Sequence, residues 1–313
     1  MQAIKDSLKR SLFRVYKLGT RLGIHILPVH YASPVPNIIE LERTRELWAH
    51  QSELPGLTID LDEQAATLRA VCQPYQHEYD GNDAYKTGIA EHFGPGYGYI
   101  EAQALHGFVR HYKPRQIVEV GSGVSTYCLW HAAEANSRES GERARLIAIE
   151  PHPSRALRGL AGVELVAQPA QAVPLDTFTR LGKNDLLFID SSHVVKPGGD
   201  VNYLILEVLP RLAPGVIVHF HDISWPYDYQ RDVLKTFLHW TESSLLQAYA
   251  AHNPRIRVLV CLSHLHYERQ DVLREVFPGY VPQAGLEGLL PPNQRPFDSQ
   301  AAHFPASTYL QVQ

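Results

Sequence analysis

Six short apolar runs recur in the second half of the chain, at residues 117–120, 146–149, 163–166, 186–189, 216–220 and 256–262. Stretches with helical spacing separate most of them, notably 125–135, 201–212 and 229–251. A strand that is apolar along its whole length is covered on both faces, and such strands alternating with helices make a parallel sheet. The pattern predicts an α/β fold, a Rossmann-like doubly wound sheet. With 313 residues, 44% of them hydrophobic, the chain can bury a full core. Residues 307–312 read as a strand returning to an edge of the sheet. Residues 265–302, richer in proline and polar side chains, read as an excursion or lid.

The start of the chain is different. Ile4, Leu8, Leu12, Val15, Leu18 and Leu22 recur at helical spacing, with Lys5, Lys9, Arg10, Arg14, Lys17 and Arg21 between them. Two readings of this basic amphipathic helix are open: packing of its apolar stripe on the domain or a second subunit, or attachment to a membrane surface. A proline-rich linker at 28–36 and two helices, at 38–51 and 62–72, follow. The expected division is therefore 1–85 as basic helix, linker and helical cap, and 86–313 as the main domain. In the latter, 94–98 is a glycine-rich loop and 101–112 a helix.

Net charge is −4, which gives no basic field for nucleic acid. No apolar stretch is long enough to span a bilayer, and no secretory signal pattern is present. The three cysteines, Cys72, Cys128 and Cys261, are scattered, which fits a reducing cytoplasm rather than a disulfide scaffold.

In open α/β sheets ligands sit beyond the carboxyl ends of the strands. Strand one ends in Glu119-Val-Gly121-Ser122-Gly123, strand two in Glu150, strand four in Asp190-Ser-Ser-His193, and strand five in His219-Phe-His221-Asp222. A glycine turn leading into a helix offers free N–H groups to a nucleotide-sized ligand. Glu150 offers paired oxygens to two ribose hydroxyls. A nicotinamide-dependent (NAD(P)) oxidoreductase fits less well, because its fingerprint places a third glycine where Thr126 stands.

The stretches 119–125, 147–150, 187–193 and 209–222 resemble class I S-adenosylmethionine-dependent methyltransferases, and most of all the branch that O-methylates small molecules and sugars. The likeness covers about residues 97–262. It implies a seven-stranded sheet whose last strand is antiparallel. It implies that Glu119, Gly121, Ser122, Gly123 and Ser125 surround the methionine part of the cofactor and that Glu150 holds the ribose. Ser125 stands where many members carry glycine, and its hydroxyl can bond the cofactor's carboxylate.

Metal-dependent members place paired acids at the tips of strands four and five. That implies Asp190 and Asp222 as ligands of Mg2+ or Mn2+, with His221 as a third ligand that would favour manganese or iron. Asp190 also stands where it can touch the cofactor or take part in catalysis. His193 is a candidate base for an acceptor hydroxyl, with a turn-fixing loop histidine as the other reading. His219, on the same side of its strand as His221, reads as core. Trp225, Tyr227 and Tyr229 are candidates to stack on a sugar or ring. The expected partner is a small-molecule or saccharide substrate. A non-catalytic cofactor-binding scaffold that docks through the basic helix is the remaining alternative.

Overall fold

The computed structural model describes residues 2–285, 287–291 and 302–313. The chain divides into two compact units, Met1–Trp48 and Ala49–Gln313. In the first, the helix Gln2–Arg21 is followed by short helices Ile38–Arg43 and Arg45–Trp48. The expected boundary at 85/86 therefore moves to 48/49. The reason is burial: on the helix Leu61–Cys72, Leu68, Val71 and Cys72 belong to the same core as Leu105 and Phe108 of the helix Tyr99–Tyr112. Asp60 starts the former helix by accepting the N–H groups of Asp62 and Glu63 at 2.9 and 3.0 Å.

Seven strands form one sheet: β1 (Gln116–Val120), β2 (Arg145–Ile149), β3 (Val163–Val166), β4 (Leu186–Ile189), β5 (Ile217–Phe220), β6 (Ile256–Cys261) and β7 (Thr308–Val312). Their order is β3-β2-β1-β4-β5-β7-β6. β1 to β5 pair in parallel, and β7 runs antiparallel to both β5 and β6. Side chains alternate between two buried clusters. One holds Ile117, Leu146, Leu186 and Phe188; the other holds Val118, Ile147, Leu187 and Ile189. Helices cover both faces, as continuous apolar strands require.

Two expectations are corrected. β7 is not an edge strand; it is inserted between β5 and β6, with Tyr309 in one buried cluster and Leu310 and Val312 in the other. The helix expected over 229–251 begins only at Glu242. The N–H groups of Thr241 and Glu242 both donate to the carbonyl of His193, at 2.8 and 3.1 Å. This ties the segment before the helix across the strand tips instead of letting it coil. The expected excursion starts with helices Leu262–Glu268 and Gln270–Val276. Its residues 286 and 292–301 lie outside the described residues.

The strand order reverses between β1 and β4. Val120 pairs with Ile189 in register, so the glycine turn and Asp190 stand side by side. β5 pairs with β4, with Phe220 opposite Ile189, which brings His221 and Asp222 next to Asp190. A cleft at this reversal is where a doubly wound sheet holds its ligand.

Candidate active site: a cofactor cleft and a cluster of histidines and aspartates

The turn after β1 is built around a buried carboxyl. Glu119 accepts the hydroxyls of Ser125 and Thr126 at 2.8 and 2.6 Å. Burial pushes its pKa up to about 8, against those hydroxyl donors. Ser125 thus spends its hydroxyl on Glu119. Thr126 also accepts the N–H of Gly123 at 3.1 Å, which starts the helix Val124–Ser140.

The two glycines differ in kind. Gly121 has φ +76°, and a Cβ there would lie 1.8 Å from the carbonyl oxygen of Asp190. The fold itself demands glycine at that position. Gly123 has an extended φ of −167°. A Cβ there would come no nearer than 3.8 Å to its surroundings, the carbonyl oxygens of Phe93 and Pro95. By contact alone the fold accepts a Cβ at Gly123. The Ser122 hydroxyl is buried beside the Glu119 carboxyl.

Glu150 closes the other side. Its carboxylate accepts the N–H groups of Ser122 at 3.2 Å and His152 at 2.7 Å. A cavity of about 330 Å3 lies beyond, walled by Gly121, Glu150, Gln171 and Asp190. The residues fit an adenosine-like group: the glycine turn at Gly121 and the carboxylates of Glu150 and Asp190 line one cavity.

The tips of β4 and β5 carry the second part of the site. Asp190, His193, His221 and Asp222 each offer one ligand atom, all within 4.8 Å of one another. His193 Nε2 lies 3.2 Å from Asp190 and 3.6 Å from Asp222, while its Nδ1 meets Glu242 at 2.9 Å. His221 Nδ1 lies 3.3 Å from Asp190 and 3.4 Å from Asp222, while its Nε2 meets Glu101 at 3.1 Å. Both His193 and Asp222 adopt left-handed backbone, each with φ 58°. Such strain persists where the surroundings over-determine it.

Electrostatics follow the packing. Burial alone would raise Asp190, but the imidazoles of His221 and His193 hold it below the usual carboxylate range. Burial raises Asp222 to about 6 in spite of the same imidazoles. His193 is pushed up to about 10, because Asp190 and Glu242 outweigh the desolvation that would lower it. His221 rises well above its ordinary value, as Asp222, Asp190 and Glu101 override burial. A cation entering this cluster competes with the protons that the carboxylates hold on both imidazoles.

The residues fit a divalent ion. His221 Nδ1 is buried and faces the two aspartates, 3.3 Å from Asp190 and 3.4 Å from Asp222. Glu101 and Glu242, which anchor the far side of each imidazole, give no signal in a single sequence. A buried glutamate in the first turn of a helix reads like a solvated one.

A larger cavity of about 900 Å3 opens on the far side of the cluster and is lined by Asp222, Glu101, Tyr97, Phe237 and Trp240. Tyr97 leans on His221 at 4.9 Å, and Trp240 on His193 at 4.7 Å. The aromatic lining differs from the expected one. Trp225 is in the core, its indole N–H bonded to the carbonyl of Ser243 at 3.2 Å, and Tyr227 and Tyr229 pack on each other at 5.4 Å. His219 is core, stacked on Phe188 at 4.3 Å and bonded to Ser307 at 2.8 Å.

Residues 118–223 match a methyltransferase domain, from β1 to just past Asp222. The chain carries a methyltransferase domain. This domain match replaces the oxidoreductase alternative. An uncharacterized protein of Archaeoglobus fulgidus is 30% identical over 194 residues, which are 59% of this chain and 85% of that protein. Two solved structures are more distant. The O-methyltransferase TomG of Streptomyces achromogenes, in complex with SAM, is 15% identical, covers 82% of this chain and 91% of its own, and has a TM-score of 0.41. An O-methyltransferase of Bacillus cereus, in complex with SAH, is 15% identical over 62% of this chain and 90% of its own, with a TM-score of 0.37.

Proposed function

We propose that this methyltransferase transfers the methyl group to a hydroxyl of a small molecule or saccharide, with a divalent cation held by Asp190, His221 and Asp222. One observation carries the reading: the cluster stands between the two cavities, Asp190 walling the smaller and Asp222 the larger. A cavity of about 900 Å3 with aromatic walls suits an enclosed small ligand or a short saccharide, and the net charge of −4 does not suit a polyanion.

In this reading Glu150 holds the ribose hydroxyls of the cofactor. Gly121, Ser122 and Gly123 present the turn to its methionine part, and Glu119 fixes that turn from below. Methyl transfer is an in-line displacement from a sulfonium, so the walls of both cavities act by placement and exclusion of water. A bound cation would lower the pKa of the acceptor hydroxyl. Titration calorimetry with S-adenosylhomocysteine tests the cofactor half, and Glu150→Ala is expected to weaken binding at least tenfold. No binding by the unaltered protein refutes it. Turnover that survives chelation but is lost in Asp190→Asn refutes the metal half and returns the proton transfer to Asp190 and His193.

We further propose that the helix Gln2–Arg21 attaches the protein to an anionic membrane surface. No helix among the described residues is long and apolar enough to cross a membrane. At 3.6 residues per turn, Leu12, Val15, Leu18 and Leu22 share an arc of about 120°, with Arg14, Lys17 and Arg21 outside it. All four apolar side chains are exposed. Flotation with phosphatidylserine vesicles is expected and should disappear on removal of residues 1–23. Protein that stays unbound, or that forms a dimer through this helix instead, overturns it. The three free, buried cysteines suit a cytoplasmic setting for such attachment.

A further inference from the structure

We infer that His193 is a fourth ligand of the cation proposed above, that Glu242 and Glu101 aim the two imidazoles, and that the site therefore selects a transition-metal ion over Mg2+. The inference rests on the reading that a divalent ion binds at Asp190, His221 and Asp222.

The two histidines are placed alike. Each turns one ring nitrogen toward the same two aspartates, at 3.2 to 3.6 Å, and fixes the other on a buried glutamate, at 2.9 Å for Glu242 and 3.1 Å for Glu101. Ligands about 2.1 Å from one ion stand roughly 3 to 4 Å from each other, so these spacings need little change to accept one. The glutamates are anchored in turn. Glu242 accepts the Ser191 hydroxyl at 2.8 Å, and Glu101 accepts the N–H of Ala306 at 2.9 Å. A metal-bound histidine commonly donates its second nitrogen to a carboxylate, which sets tautomer and ring orientation. Here that arrangement occurs twice around one point.

His221 Nδ1 lies between the two carboxylates, 3.3 Å from Asp190 and 3.4 Å from Asp222, so it faces both acids as His193 Nε2 does. Two imidazoles and two carboxylates are a donor set for Mn2+, Fe2+, Co2+ or Zn2+, whereas Mg2+ prefers oxygen ligands throughout. With one nitrogen on the ion and the other on Glu242, His193 is not free to serve as the base for the acceptor.

Pulsed EPR and ENDOR on the full-length protein loaded with one equivalent of Mn2+ count the bound imidazoles. Two are expected in the unaltered protein and one in His193→Gln. One or none in the unaltered protein overturns the inference, whether or not any variant folds. By calorimetry Mn2+ is expected to bind at least tenfold tighter than Mg2+, and equal or tighter Mg2+ binding overturns the selectivity. Glu242→Gln should weaken Mn2+ about 10- to 100-fold, and unchanged affinity removes its positioning role. Failure of the cofactor reading would show separately, as no binding of S-adenosylhomocysteine, and would leave the imidazole count to stand or fall alone.

Discussion

Replacing Gly121 by alanine puts a methyl group where the backbone of the adjacent strand tip already is. The built Cβ lies 1.8 Å from the Asp190 carbonyl oxygen, and the residue sits at φ +76°. Left-handed backbone costs a residue with a side chain about 1–2 kcal/mol. Forcing apart two packed strand tips costs about 1–3 kcal/mol more. The sum, about 2–5 kcal/mol, corresponds to a Tm loss of about 4–20 °C for a domain of this size. Gly123→Ala is the control two residues away. Its Cβ meets nothing closer than 3.8 Å, so Tm should change by under about 2 °C. In the proposed cofactor site the same methyl would stand on the turn that meets the methionine part and should weaken S-adenosylhomocysteine at least tenfold, a loss of about 1.4 kcal/mol. Differential scanning fluorimetry and calorimetry read the two effects. Equal Tm for the two variants, or full cofactor affinity in Gly123→Ala, refutes the division of labour between the glycines.

Further predictions follow from the same site and core. Glu119 keeps its proton to about pH 8 in the folded state against 4.5 as its ordinary value, so the folded state binds the extra proton between these limits. Its contribution to stability is full below about pH 4.5 and is lost as pH rises through about 8. Glu119→Gln should therefore gain in Tm relative to the unaltered protein between pH 5 and 8.5, and a constant difference would contradict the buried, protonated carboxyl. Leu68→Ala, at a fully buried position in the core shared with helix Tyr99–Tyr112, should cost about 2–5 kcal/mol in urea unfolding. A loss below about 1 kcal/mol would mean that helix Leu61–Cys72 is an appendage after all.

The parts of this protein that depend on local order were legible in the chain. Apolar runs located the strands to within about a residue, because a strand buried on both faces has no room for polar side chains. The glycine pair, Glu150, Asp190, His221 and Asp222 directly follow those strands in the chain, and strand pairing brings the tips of β1, β4 and β5 side by side. The helix over 229–251 was misjudged because its spacing looks helical in isolation, while hydrogen bonds to the carbonyl of His193 draw its first half across the site. The aromatic lining of the larger cavity was hidden for a related reason: nearness in sequence to Asp222 suggested Trp225, which is in the core, whereas Trp240 and Phe237 line that cavity.

What the sequence determined alone was the sheet, its glycine turn and the acids and histidines at its tips, since each of these is a short run with its own periodicity or steric need. What only the tertiary structure decided was the company those groups keep. Strand β7 is drawn between β5 and β6, and Ala306 and Ser307, just before it, anchor Glu101 behind His221. The crossing segment brings Glu242 behind His193. Those contacts span 120 residues in one case and 49 in the other. No local pattern encodes them, because a carboxylate becomes a partner for imidazole only after distant elements have packed and excluded water around both.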